Sequence, residues 1–185
     1  MHMVSKTGFI LSGALLGLAA CDRAENPATT ISKPVAERAS RATPKPIRPA
    51  PSSTDFVARA AAIDLFEIQS AKLALERSGR GSVRDFATME IQAHQGTSAQ
   101  LALAGRRLNL LPARALTPEY SARLEELSAS SSFDLTYKNQ QLAVHQQALA
   151  LHQAYAVRGA SPTLRPVASA AVPLIQRHLR LLRYL

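Results

Sequence analysis

The 185-residue chain has no tryptophan and one cysteine, and each shortage removes a class of protein. A single thiol, Cys21, builds neither an internal disulfide framework nor a thiolate metal cluster. The eight glycines form no phosphate-cradling loop and flank no serine as in a nucleophile elbow, so neither nucleotide binding nor hydrolase chemistry is expected. Five Phe and four Tyr leave a core made mostly of Ala and Leu, and 46% hydrophobic residues over this length suffice for one globular domain of moderate size. The formal charge is +9, spread as +1 over residues 1–21, +3 over 22–54 and +5 over 55–185. No basic block is interleaved with stacking aromatics, so no nucleic-acid partner is expected. A solvated basic face, compatible with anionic membrane surfaces, is the reading that fits.

What is present begins with a secretory pattern. Lys6 precedes an apolar run from Phe9 to Ala20, too short to span a bilayer as a helix and suited to the core of a signal peptide over residues 1–20. The run ends in Leu18-Ala19-Ala20-Cys21, which resembles the bacterial lipobox, where cleavage before the cysteine exposes a thiol for acylation. The alternative is an ordinary signal whose cleavage region happens to include a cysteine. Cys21 is therefore the lipidation candidate, and a membrane reached through its lipid is the expected partner. That places the chain on the periplasmic side of the envelope. Asp22 resembles an inner-membrane retention signal of enterobacterial lipoproteins, a rule too narrow to decide between inner and outer membrane. Residues 21–54 then carry prolines at 27, 34, 44, 46, 49 and 51 and almost no bulky apolar residues, so they read as a disordered, partly polyproline-like tether.

From residue 55 to 185 the pattern is helical. The clearest stretch is Ser132 to Gly159, with Phe133, Tyr137, Val144, Ala148, Leu151 and Tyr155 on one apolar row and Leu135, Leu142 and Leu149 on a second. About 27 residues make roughly 40 Å of helix, which needs partners of similar length. A first helix follows a cap at Ser53 or Thr54, buries Phe56, Ala60, Ile63, Ala71 and Ala74, and stops at Gly79. A second starts in a Ser82/Asp85 capping box and runs to Pro112, burying Val83, Phe86, Ala87, Leu101 and Leu108. Thr117-Pro118 opens a short connecting helix. A last helix runs from Ser161 to about Tyr184, with kinks expected at Pro166 and Pro173. Four principal helices and one connector make an all-α four-helix bundle.

Phe56 to Leu75 (F-x-x-x-A-A-x-x-x-L-F-E-I-Q-S-A-K-L-A-L), Val83 to Ala87 (V-R-x-F-A), Phe133 to Tyr137 (F-D-x-x-Y), His145-Gln146, Gly159 to Leu164 (G-x-x-P-x-L) and Pro173 to His178 (P-x-x-x-x-H) together resemble the bacterial family catalogued as domain of unknown function 4142. The resemblance covers nearly all of residues 55–185 and implies a ferritin-like bundle in a mostly exported protein, with no established activity. Two positions depart from the family's usual pattern. Ala93 stands where members carry Asp directly before the second-helix histidine, and Glu90 stands where they carry Met.

One candidate site emerges. Glu67, His94, His145 and His178 lie on or beside apolar stripes, one per principal helix, at levels that agree to within roughly 5 to 8 Å at 1.5 Å per residue. Glu90 joins His94 at i,i+4. One ionisable residue per helix at a common height is how bundles build metal sites. Three imidazoles with one or two carboxylates suit a single Zn, Cu or Fe ion better than a ferritin-type pair, which needs about four carboxylates and two Glu-x-x-His motifs. The competing interpretation is a layer of core residues satisfied by hydrogen bonds, with Glu67 and His94 a buried pair. His152, roughly 10 Å beyond His145, is expected to be an accessory or rim residue, and Asp134 belongs to a helix start. Two functions follow. The chain is either an envelope interaction or stress-protective module with a structural polar layer, partnered by itself or another envelope protein, or a metal-binding or metal-dependent redox protein.

Overall fold

The computed structural model describes residues 50–112 and 114–185, so the signal segment, Cys21 and all but the end of the tether lie outside the described residues. Five α-helices occur: α1 (Ser53–Arg77), α2 (Gly81–Arg106), α3 (Pro118–Ala129), α4 (Phe133–Arg158) and α5 (Arg165–Leu181), closed by a 3-10 turn at Leu182–Tyr184. No strand occurs among the described residues.

The ends of the helices have local causes. Ser52, one residue before the expected cap, accepts the Asp55 amide on its hydroxyl and starts α1. The Ser82/Asp85 capping box does not form, because α2 already begins at Gly81 with no side chain capping it. α2 also stops six residues before Pro112. The Gly105 carbonyl accepts the amides of Leu108 and Leu110, and Asn109 adopts φ 56°, a left-handed value that Asn tolerates. A Cβ on Gly105 would collide with the Leu110 carbonyl, so the turn requires glycine there. Thr117 caps α3 through the Tyr120 amide, with Pro118 in the first turn, as its sequence predicts. α5 starts at Arg165 and not at Ser161, which leaves Pro166 in the first turn, where its missing N–H costs nothing. Only Pro173 is interior, and it is exposed.

Chain direction follows from which ends meet. Arg77, closing α1, donates to the carbonyls of Ser128 and Ser130 and lies over the Phe133 ring, so α3 ends and α4 begins beside the C-terminal end of α1. Tyr155, late in α4, stacks on Phe56 at the start of α1 with ring centroids 4.0 Å apart. α3 therefore runs in the direction of α1, from the stack of Phe66 on Tyr120 at 5.0 Å to the contacts of Arg77, and α4 runs parallel to α2. The long connection crosses back along the bundle, an arrangement consistent with a ferritin-like fold.

The core divides in two. One cluster holds Phe56, Ile63, Phe66, Leu101, Val144, Leu151, Tyr155, Leu164 and Ile175, and the other holds Ala74, Val83, Phe86, Leu127, Phe133, Tyr137 and Leu182. Each large side chain buried here contributes about 1.5 to 3 kcal/mol. Of the second apolar row expected on α4, Leu149 packs against the first cluster, whereas Leu135 is 60% and Leu142 38% exposed and neither is core. Where the two clusters meet lie Glu67, Glu90, His94, His145 and His178, none more than 3% exposed.

Candidate metal centre

Each side chain of the layer arrives from a backbone position set by helical spacing. Glu67 falls on the stripe that buries Phe56, Ala60, Ile63 and Ala71 of α1. Glu90 and His94 are one turn apart on α2, His145 is at the middle of α4, and His178 is near the end of α5. All five residues named by the sequence meet, His178 included.

Glu90 is the hub. Its Oε2 lies 2.9 Å from His94 Nε2 and 3.4 Å from His145 Nε2, and its Oε1 lies 2.7 Å from His178 Nδ1. One donor atom from each of Glu90, His94, His145 and His178 falls within 4.8 Å of all the others. These approaches are close without being hydrogen bonds in direction, because both Glu90 oxygens and His94 Nε2 have no hydrogen-bond partner. Only His145 Nε2 and His178 Nδ1 are so paired, at 3.2 Å. Glu67 stands outside the group of four, with Oε1 3.2 Å from His145 Nδ1.

The outer faces of two imidazoles are fixed. His94 Nδ1 lies 2.8 Å from Asp64 Oδ1, and a carboxylate only accepts, so that nitrogen carries the proton and Nε2 is turned to the centre. Asp64 is itself held by the hydroxyls of Thr97 at 2.9 Å and Ser98 at 3.0 Å. His145 Nδ1 donates to the Gln141 carbonyl at 2.9 Å beside Glu67, which likewise points Nε2 inward. Gln141 is tied across to α1 by its amide on Ser70 Oγ, and Ser70 donates to the Glu67 carbonyl.

Asp64, 6% exposed, is a residue that sequence reasoning missed. The signal was there, since Asp64 lies one turn after Ala60 and two turns before Ala71 on the buried stripe. His152, expected as an accessory or rim residue, is not at the rim but buried, edge-on to Phe56 with centroids 5.3 Å apart. Asp134 sits in the first turn of α4, as expected.

The electrostatics match the geometry. Burial alone would raise the Glu90 carboxyl, but His145, His178 and His94 outweigh it and hold the group well below its usual range. Burial would lower His94, yet Asp64 and Glu90 raise it well above 6.5. His145 is likewise pushed down by burial but held up by Glu67 and Glu90 at about 10. His152, with burial as its main influence, is lowered and stays neutral.

The donor set fits one transition-metal ion. Tetrahedral bonds of about 2.0 to 2.1 Å to nitrogen and oxygen set donors about 3.4 Å apart; Glu90 Oε2 lies 2.9 and 3.4 Å from the Nε2 atoms of His94 and His145, His145 Nε2 lies 3.2 Å from His178 Nδ1, and the four donors all fall within 4.8 Å. A second sign is that three imidazole nitrogens crowd the buried Glu90 oxygens at 2.7 to 3.4 Å without hydrogen-bond alignment.

The chain resembles several known proteins. The sequence model described as "Domain of unknown function (DUF4142)" matches residues 37–185. No curated protein matches. Among solved structures, CopM in the Cu(II)-bound form superposes with a TM-score of 0.63 at 13% identity, covering 73% of this chain and 95% of that one. CopM in the Cu(I)-bound form gives 0.61 at 14%, covering 71% and 92%. A DUF305 fragment from Deinococcus radiodurans gives 0.57 at 19%, covering 74% and 96%. At these identities the likeness establishes the helical-bundle fold alone.

Proposed function

We propose that this chain, which belongs to the DUF4142 family, is an exported, lipid-anchored protein that binds one copper ion at the centre of its bundle. The observation that carries the reading is the convergence of Glu90, His94, His145 and His178, four buried donors within 4.8 Å of one another. Asp64 and the Gln141 carbonyl, with Glu67 beside it, act behind the ligands. They fix which nitrogen of His94 and His145 faces inward, and partners of this kind are worth 10- to 100-fold in metal affinity. A bound ion would supply positive charge, and Lewis acidity or a redox couple, at the point where the three imidazoles face Glu90.

Copper is favoured over zinc and iron on chemistry. A nitrogen and oxygen donor set binds divalent ions in the order that peaks at Cu(II), and the group contains no thiolate or thioether to favour Cu(I). That two of the solved structures sharing the fold are copper-bound agrees with this choice. His94 and His145 hold protons strongly in the free chain, so loading releases them and tightens as pH rises. The address rests on Leu18-Ala19-Ala20-Cys21 and on the described helices, none of which is long and apolar enough to cross a membrane.

Purified chain dialysed against Cu(II), Zn(II) and Fe(II) in turn tests the centre. One retained copper per chain is expected, along with its loss in His145→Leu; a chain that retains no metal contradicts the reading. For the anchor, full-length protein in a Gram-negative host should fractionate with membranes and be released by Cys21→Ser. A free thiol at Cys21 by mass spectrometry would overturn that part alone.

A further inference from the structure

A second group of polar atoms lies behind His94, away from Glu90. Asp64, Thr97, Gln100 and His152 share the wall of a small cavity closed by apolar side chains of α1, α2 and α5. Its volume is about 10 Å³, room for one water-sized species. His152 is 92% buried, and its Nδ1 has no partner. Burial lowers the ring and keeps it neutral, so a proton on Nε2 leaves a lone pair on Nδ1. An imidazole lone pair, a carboxylate, a hydroxyl and an amide around a one-atom space form a donor set for a small cation.

The position is informative. Glu90 and His145 are at most 1% exposed, so an ion reaching them must pass between packed helices. Gln100 is exposed and Thr97 half-buried, which makes this cavity the stage nearer solvent. Asp64 belongs to both stages, because it also accepts from His94 Nδ1 at 2.8 Å.

We propose that Asp64 and His152 form a second, weaker metal site, a waypoint through which the ion reaches the Glu90 centre. The direction of travel rests on the copper reading of that centre, whereas the waypoint itself rests on its own donors. A lining with one imidazole, a hydroxyl, an amide and a carboxylate already shared with His94 suits transient holding and not storage.

Titration of the full chain with Cu(II) should give one tight and one weaker equivalent per chain. His152→Leu should keep the tight equivalent, lose the weaker one and slow loading of the centre at least tenfold in stopped-flow mixing. If His152→Leu matches the wild type in both stoichiometry and rate, the waypoint is wrong. A measurement without substitution guards against a variant that misfolds. With Zn(II) as a diamagnetic probe, added beyond the first equivalent, the ¹⁵N resonance of His152 Nδ1 should move toward that of a metal-bound imidazole. An unmoved resonance overturns the waypoint, while absence of the tight equivalent in the wild type overturns the centre.

Discussion

Phe66 and Glu67 are consecutive residues of α1, and both are fully buried. Phe66 stacks on Tyr120 within the apolar cluster and carries no polar atom to satisfy. Glu67 enters a layer where both of its own oxygens, both of Glu90's, His94 Nε2 and His178 Nε2 lack hydrogen-bond partners. Depth of burial does not distinguish them. The satisfaction of polar atoms does, and a core layer that leaves buried polar atoms of three helices unpaired is shaped for something other than its own stability.

The contrast can be broken from either side. On the apolar side, Phe66→Ala should cost about 3 to 5 kcal/mol of unfolding free energy while leaving the copper affinity of folded chain unchanged. Chemical denaturation and metal titration on one sample check both parts. On the polar side the order reverses. Glu90→Met, which restores the residue usual in the family, should weaken copper binding at least a hundredfold, about 2.7 kcal/mol, while the metal-free chain loses less, because His94 and His145 keep Asp64 and Glu67 as partners. Equal losses in both measurements would make Glu90 a structural residue.

Much of this contrast was legible before any coordinates. The buried row of α4, Phe133 through Tyr155, and the stripe of α1 follow from periodicity, because a helix of 25 or 26 residues samples each face many times. The layer was legible for a related reason: residues near the middle of long helices share a height whichever way the chain runs. Leu135 and Leu142 misled because nothing in the sequence says how many sides of α4 are covered, and the structure leaves them exposed. Asp64 was passed over because an acidic residue beside an apolar stripe usually faces water, and its partners Thr97 and Ser98 come from another helix. The hub role of Glu90 needed the inter-helix distances. Sequence spacing made it only a neighbour of His94.

Asp64 sharpens the comparison at smaller scale. Asp64→Asn keeps the shape but lets the side chain donate to His94 Nδ1 as well as accept from it, so the inward nitrogen is no longer fixed. Copper affinity should fall about tenfold, or 1.4 kcal/mol, by competition titration against a chelator of known affinity. An unchanged affinity would remove Asp64 from the set of positioning residues.

The smallest effect is a pH profile belonging to the polar layer alone. Glu90 is held well below 4.5, so its contribution to metal-free stability is present above that value and is lost as pH falls through its folded pKa. His145 is raised from 6.5 to about 10, so its contribution is complete below 6.5 and is lost as pH rises toward 10. The metal-free chain should be most stable between about pH 4.5 and 6.5 and weaken on both sides, as read from urea midpoints at pH 3.5, 5.5 and 9. Glu90→Met should flatten the acid side. A profile identical in that variant would detach the layer from the effect.

The most direct test of the account is the electron paramagnetic resonance spectrum of the full chain loaded with one equivalent of Cu(II). Three inward histidines and one carboxylate predict a single copper species with hyperfine coupling to three imidazole nitrogens, reduced to two in His178→Leu. A spectrum of copper in a purely oxygen environment, or one unchanged by removing His178, would contradict the centre.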